Sequence, residues 1–295
     1  MKCSEHLNLQ QKTQVNDADK SSPIFHGIAR LRINLLRDPS KHVDKNIQSD
    51  TKKPADDNKP APKIVVARNT RKPEVIVSLT TWKGRIFHEG FPFNLYSLLT
   101  QKTKYKYKVV LVLSEEEFGK DFQLPEMVYK YTKSIPHFEV LWTYRNTKAL
   151  KNYNPTNAKY PNTPIIVLGD DTIYRDNLVE TVYGDYLKSD RKSCLAARVS
   201  PFPSGLKVPW RIRLFPPKCM KWIDEDYFVE YFHDNNDLFY GVRLLLNGTK
   251  VIRQKWNDLW YKNSAFAQEL ALTEYHKYND DEVFMKFISE HPEYS

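Results

Sequence analysis

The sequence has few cysteines and no long apolar run. Its three cysteines, Cys3, Cys194 and Cys219, show neither the spacing of a zinc site nor that of a disulfide framework. We therefore expect reduced thiols and a cytoplasmic location. No stretch of 18 apolar residues occurs, and the first residues, MKCSEHLNLQQK, lack the apolar core of a signal peptide. The sequence thus predicts neither a membrane-spanning helix nor secretion.

Several motifs of common enzyme classes are also absent. Only nine glycines occur, and they form neither the GxGxxG of a dinucleotide-binding fold nor the GxxxxGK[ST] of a P-loop. A GxSxG nucleophile turn and an HExxH zinc motif are missing as well. There is no zinc-finger, RNA-recognition or helix-turn-helix signature, so we expect no nucleic-acid partner.

The positive charge of the chain is concentrated near its start. The formal net charge is +9, and residues 1–74 carry 15 Lys and Arg against 9 Asp and Glu. Residues 1–70 are poor in aromatic residues and rich in polar residues and proline, a composition that cannot bury enough surface to fold. We expect a disordered basic tail and linker over 1–70 and a folded domain over 71–295. Such a tail suits a peripheral contact with the inner face of a membrane.

Apolar strand-like segments alternate with helical segments through the first two thirds of the domain. Strands are predicted at 74–81, 107–114, 137–144, 165–168 and 193–200. This alternation predicts an α/β fold with a mostly parallel sheet flanked by helices. The next residues, 201–222, are rich in Pro, Trp and Arg, and we expect an irregular excursion over the sheet.

The most informative stretch is PIIVLGDDTIY, residues 164–174. Its apolar run is typical of a strand buried on both faces, and Gly169, Asp170 and Asp171 follow it. Polar residues at the carboxyl end of a parallel strand lie where open α/β sheets bind ligands. Adjacent carboxylates favour a divalent metal that carries a phosphorylated substrate, because like charges repel without a cation. The alternative is a solvated loop that caps a helix beginning near Asp176.

Three further groups of polar residues are candidates for ligand contacts. Thr80 and Arg85 follow the first strand, where they could hold a nucleotide, although a lone Arg more often pairs with a surface carboxylate. Lys148 and Lys151 lie one helical turn apart and either neutralise a diphosphate or form a solvated helix face. The polar cluster His233 to Asp237 precedes an apolar helix. One of its acidic or amide residues is the helix N-cap, or Asp237 or Asp234 is a general base.

The order and spacing of these segments resemble bacterial glycosyltransferases of the GT-A type, which build surface polysaccharides from nucleotide sugars. The resemblance covers about residues 75–250. It rests on the segments VSLTTWKGRI (77–86), VLVLSEEEF (110–118), KALKNYNP (148–155), PIIVLGDDTIY (164–174), LFPPKCM (214–220) and DLFYGVRLLLNGTKV (237–251). It implies a GT-A-like, Rossmann-like sheet.

The resemblance also implies a metal site. Asp171 matches the last aspartate of the family's DxD-type motif and would bind Mn²⁺ or Mg²⁺, and Asp170 matches the middle aspartate. Gly169 occupies the position of the first aspartate, so this chain has one carboxylate fewer.

Other site residues are implied in the same way. Thr80 and Arg85 match the nucleotide-binding first loop, and Lys148 matches a lysine near the diphosphate. Asp237 matches the second of two acidic residues before the late helix, where such enzymes place their base. Asn236 stands at the position of the first.

One further departure from the family lies in the Pro-, Trp- and Arg-rich region. The family tends to have glycines before the Phe-Pro-Pro segment, where this chain has Arg211, Ile212 and Arg213. The region 201–222, with Trp210, Arg211 and Arg213, could form an acceptor lid or an oligomer contact.

The expected activity is therefore transfer of a sugar, with inversion, from a nucleotide diphosphate sugar to a hydroxyl of a glycan or lipid-linked glycan. A UDP-sugar is the expected donor. Two alternatives stay open: a catalytically inactive GT-A scaffold that binds glycan or a partner enzyme, and a phosphosugar transferase.

Overall fold

A computed structural model describes residues 72–232, 235–262 and 279–294. The predicted disordered tail over 1–70 lies outside the described residues, as do His233 and Asp234 of the polar cluster.

Nine strands occur in the described part of the chain. They are β1 (Val75–Thr80), β2 (Tyr107–Ser114), β3 (Phe138–Thr143), β4 (Ile165–Val167), β5 (Thr172–Tyr174), β6 (Cys194–Pro201), β7 (Lys207–Phe215), β8 (Val251–Arg253) and β9 (Trp260–Lys262).

The same residues form nine α-helices and two 3-10 helices. The α-helices are α1 (Lys83–Ile86), α2 (Phe91–Leu99), α3 (Glu115–Phe118), α4 (Glu126–Ser134), α5 (Asn154–Lys159), α6 (Leu178–Lys188), α7 (Asp226–Glu230), α8 (Asn236–Leu246) and α9 (Asp280–Glu290). The 3-10 helices are Lys148–Asn152 and Pro292–Tyr294. None of these helices is long and apolar enough to cross a membrane.

The main sheet has seven strands in the order β3-β2-β1-β4-β7-β6-β8. The pairs β1–β2, β2–β3, β1–β4 and β6–β8 are parallel, whereas β7 runs antiparallel to both of its neighbours, β4 and β6. The predicted α/β class with a mostly parallel sheet is therefore confirmed. A second sheet consists of β5 paired antiparallel with β9.

Helices cover both faces of the main sheet, so its central strands are buried on both sides. Along β1, Val75, Val77 and Leu79 point into one apolar cluster, and Ile76 points into the other. These four side chains are fully buried. Burial on both faces explains why the strand is almost continuously apolar rather than alternating. Each such side chain contributes roughly 1.5–3 kcal/mol to folding.

The region over 201–222 is not an irregular excursion, and that prediction is wrong. Residues 207–215 form β7, which lies between β4 and β6 inside the sheet. Its Pro209 pairs with Val199 of β6, while β4 reaches only as far as Arg213 along β7. A proline without an N–H is tolerated at this position because no strand needs a hydrogen bond from it on the β4 side.

The helix-cap interpretation of the Asp170–Asp171 pair is also wrong. Strand β5 intervenes, and α6 begins at Leu178 with Asn177 as its N-cap residue. The prediction that a polar residue caps the late helix is confirmed, since Asn235 Oδ1 accepts a 3.1 Å hydrogen bond from Leu238 N. The five strands predicted from the sequence correspond to β1, β2, β3, β4 and β6, and their boundaries agree to within one residue.

Candidate active site

One cavity of about 640 Å³ lies at the carboxyl ends of β1 and β4. All seven residues proposed from the sequence line it: Thr80, Arg85, Lys148, Lys151, Asp170, Asp171 and Asp237. Its volume is within the usual range for pockets that bind small molecules and cofactors. The structure thus brings the predicted residues together, while their individual roles stay predictions.

Asp170 and Arg85 form a buried ion pair in the wall of this cavity. The Arg85 guanidinium contacts Asp170 Oδ1, and both side chains are less than a tenth exposed. Burial raises the pKa of the Asp170 carboxyl, and the positive charge of Arg85 opposes that rise. Arg85 therefore pairs with a buried carboxylate, and the expected surface pairing is wrong. Asp170 Oδ2 is buried without a hydrogen-bond partner among the described residues, which is unusual for a carboxylate oxygen.

Asp171 is partly exposed to the cavity, in contrast to its neighbour. Its Oδ1 accepts a 3.1 Å hydrogen bond from Thr172 Oγ1. The same oxygen approaches Gly169 so closely that a Cβ atom there would lie 2.9 Å from it. A side chain at position 169 would therefore displace the Asp171 carboxylate.

Two buried side chains fix the backbone that carries the carboxylates. Asn94 of α2 donates from Nδ2 to Gly169 O at 3.1 Å and to Thr172 O at 2.5 Å. The Tyr174 hydroxyl lies 3.0 Å from Gly169 N and 3.1 Å from Gly169 O. Burial raises the pKa of Tyr174, so this hydroxyl stays protonated. Asn94 is not among the residues predicted from the sequence, although an amide within the apolar helix FPFNLYSLL is a signal for such a role.

Thr80 already has a partner inside the sheet. Its hydroxyl donates a 2.7 Å hydrogen bond to Val112 O, and the residue is half-buried at the end of β1. In a contact with a nucleotide, the Thr80 oxygen would therefore accept a hydrogen bond, since the hydroxyl proton is already donated to Val112 O.

The two lysines have different environments. Lys151 is 1% exposed, and its ammonium donates to Glu117 Oε2 at 2.5 Å, Asn146 Oδ1 at 2.6 Å and Ser114 Oγ at 3.3 Å. The interpretation of a solvated helix face is therefore wrong for Lys151. Burial lowers its pKa, and Glu117 opposes that shift. Lys148 is exposed at the cavity and has a left-handed backbone with φ of 48°.

Asp237, the predicted base, forms an ion pair with Arg213 of β7. The side chain of Asp237 is 33% exposed, whereas that of Arg213 is 6% exposed. The Arg213 guanidinium lies 5.6 Å from the ring of Tyr240, and its Nε is buried without a partner in the described structure. Because Arg213 is buried inside the sheet, it cannot serve as an oligomer contact.

The described residues contain no group of three His, Cys, Asp or Glu side chains that could hold a metal ion. Of the two adjacent aspartates, Asp171 is the one whose carboxylate is partly exposed to the cavity, because the Asp170 carboxylate is buried and paired with Arg85. Mg²⁺ commonly uses one or two carboxylates and takes its remaining ligands from substrate phosphates and water. The residues therefore fit a hard divalent cation shared with a phosphorylated substrate, and not a metal held by protein ligands only.

Comparisons with known proteins give only distant similarities. Neither a protein-family model nor a curated protein matches this chain. Among solved structures, the chain is similar to S. aureus TarS in complex with UDP, with 13% identity and a TM-score of 0.45 over 74% of this chain and 71% of that one.

Two further structures show the same level of similarity. The mannosyltransferase PcManGT from Pyrobaculum calidifontis, in complex with GDP-Man and Mn²⁺, is 15% identical, with a TM-score of 0.39 over 63% of this chain and 55% of that one. A 4-diphosphocytidyl-2C-methyl-D-erythritol synthase is 13% identical, with a TM-score of 0.35 over 55% of this chain and 86% of that one.

Proposed function

We propose that the protein is a glycosyltransferase that uses a nucleotide diphosphate sugar, with a UDP-sugar as the expected donor. The observation that supports this most is the meeting of Asp171, Asp237 and Lys148 in one cavity at the carboxyl ends of β1 and β4. Carboxylates and cations in one cavity suit a substrate that carries a diphosphate and a hydroxyl that must lose its proton.

The donor would bind at the side of the cavity formed by the ends of β1 and β4. Asp171 would hold Mn²⁺ or Mg²⁺ together with the diphosphate, and the cation would stabilise the charge of the leaving group. Lys148 is exposed at the same cavity and adds positive charge. Arg85 and Asp170 line the same cavity, and their buried ion pair would hold the backbone next to Asp171 at the donor.

The acceptor hydroxyl would bind next to Asp237. Its oxygen attacks the anomeric carbon, the bond to the diphosphate oxygen breaks, and the hydroxyl proton passes to the Asp237 carboxylate. The products are the glycosylated acceptor and the nucleoside diphosphate, with inverted configuration. Arg213 contacts Oδ1 of Asp237 and orients the carboxylate. We propose a glycan or lipid-linked glycan as acceptor, in cytoplasmic synthesis of surface polysaccharide, with the basic segment 1–70 contacting the membrane.

An inactive scaffold is the second candidate, and one observation favours it. Of the four carboxylates at the cavity, Asp170 and Asp237 are each paired with an arginine, and Glu117 is paired with Lys151. A protein that only binds glycan or a partner enzyme would need neither a metal nor a base.

Calorimetry with UDP, with and without MnCl₂, separates these candidates. The glycosyltransferase should bind UDP more tightly when Mn²⁺ is present, and mass spectrometry should detect slow hydrolysis of one or more nucleotide sugars in a donor screen. Absence of UDP binding under both conditions would contradict the proposed activity and favour the scaffold.

A further inference from the structure

Arg211 lies at an irregular position in β7. The register between β6 and β7 shifts there, because Ala196 pairs with Arg213 while Arg198 pairs with Trp210. Two residues of β7 thus face a single residue of β6, as in a β-bulge. The φ angle of Arg211 is 74°, in the left-handed region that normally favours glycine.

The bulge directs the Arg211 side chain out of the sheet and towards two indole rings. Its guanidinium lies 4.7 Å from the centre of the Trp260 ring, on β9 of the second sheet, and 5.6 Å from the ring of Trp210. Contacts of this kind hold the guanidinium by its face and leave its N–H groups available for a ligand. Arg211 is exposed and has no ion-pair partner within the described ranges.

The cavity wall that contains Arg211 is the one next to the predicted base. Arg211 lines the cavity and is two residues from Arg213, which contacts Asp237. The base must contact the acceptor hydroxyl, so β7 borders the acceptor side of the cavity. The residues proposed for the donor, such as Thr80, lie at the ends of other strands.

We propose that Arg211 binds an anionic group, a phosphate or a carboxylate, on the acceptor, close to the hydroxyl that receives the sugar. The inference rests on the proposed glycosyltransferase activity and adds the chemical class of its acceptor. Strained backbone positions persist where the surrounding structure imposes them and are common in binding sites. A planar guanidinium with two parallel N–H donors suits phosphate and carboxylate groups.

The test compares wild-type protein with Arg211→Gly and with the control Arg191→Gly. Glycine accepts a left-handed backbone, so Arg211→Gly should be at least as stable as wild type. Arg191 is a matched control, since it has φ of 56° and is exposed, but does not line the cavity. Calorimetry measures UDP binding with Mn²⁺ first. The UDP-saturated proteins are then titrated with a glycerol phosphate hexamer, a hyaluronan tetrasaccharide and neutral maltotetraose.

We expect all three proteins to bind UDP equally. Wild type and Arg191→Gly should bind at least one anionic probe more tightly than maltotetraose, and Arg211→Gly should bind that probe about tenfold or more weakly. Tighter binding of the glycerol phosphate hexamer would indicate that Arg211 binds a phosphate. Tighter binding of the hyaluronan tetrasaccharide would indicate a carboxylate.

Three results would overturn the proposal: no preference of wild type for either anionic probe, unchanged probe binding by Arg211→Gly, or weaker UDP binding by that variant. The last result would assign Arg211 to the donor diphosphate. Failure of the underlying activity has a different signature, because none of the three proteins would then bind UDP. The same probe titrations without UDP would still decide whether Arg211 binds anions.

Discussion

The ammonium of Lys151 lies 2.5 Å from Glu117 Oε2, and both side chains are largely buried in the wall of the cavity. The other carboxylate oxygen, Oε1, accepts a 2.9 Å hydrogen bond from Lys83 N at the start of α1. Glu117 thus connects α1 to the 3-10 helix Lys148–Asn152, and both of these segments border the cavity.

Removing one member of the Lys151–Glu117 pair should lower the stability of the fold. Glu117→Ala leaves the Lys151 ammonium buried without its counter-charge, so we expect the free energy of unfolding to fall by about 3 kcal/mol in urea titrations. Adding Lys151→Met to that variant should restore part of the loss. The control is Glu126→Ala, which breaks the exposed Glu126–Lys130 pair and should cost less than about 0.5 kcal/mol. Equal effects of the two single substitutions would contradict a special role for the buried pair.

Asp171→Asn tests the metal site. We expect the Mn²⁺-dependent gain in UDP affinity to disappear and turnover to fall about 100-fold, equivalent to about 2.7 kcal/mol. Asp176→Asn is a suitable control, because Asp176 is exposed and pairs with Lys102 at 2.7 Å, away from the cavity. Full transfer activity in Asp171→Asn would show that the metal role is wrong.

Asp237→Asn tests the base. The amide keeps an oxygen that can accept from Arg213 but cannot take up the acceptor proton, so turnover should fall by about 100-fold or more. UDP affinity should be nearly unchanged, since the donor contacts lie elsewhere. A loss of UDP affinity comparable to the loss of turnover would indicate a structural role for the Asp237–Arg213 pair instead.

The stability of the domain should depend on pH through Asp190. Hydrogen bonds from Lys192 N, from Ser193 N and from the Ser193 hydroxyl lower the pKa of its carboxyl from 3.8 to about 2. The stabilisation is therefore present above about pH 3.8 and is lost as the pH falls towards about 2.

Asp190→Asn should remove this pH dependence. Its free energy of unfolding should be lower than that of wild type at neutral pH, and the difference should shrink below about pH 4 in urea titrations at several pH values. A difference that stays constant from neutral to acid pH would contradict the assignment to Asp190.

The parallel part of the sheet could be predicted because its strands are buried on both faces and are therefore apolar throughout. Strand β7 could not be predicted from the sequence, since Pro209 and the exposed Arg211 interrupt its apolar pattern. Both residues are compatible with a strand only because β4 is short and a bulge lies in β7, and these features depend on the neighbouring strands.

The residues of the candidate site also fall into those that could be predicted from the sequence and those that could not. Residues shortly after a strand or in the first turn of a helix, such as Asp171 and Asp237, could be selected from their local context. Their partners could not, because Arg213 meets Asp237, and Asn94 meets Gly169, only through packing of elements far apart in sequence. Sequence spacing gives no measure of these contacts.

The hydrogen bonds of Asn94 and Tyr174 to the backbone around Gly169 affect the cost of ligand binding. Because buried side chains already fix this turn, a ligand that reaches Asp171 does not have to order the backbone there. Ordering of backbone and side chains reduces the free energy of binding only where these groups are not already held in the unliganded protein. Lys148, which also lines the cavity, has a longer side chain with more rotatable bonds than Asp171, and holding it against a ligand would cost more rotamer entropy.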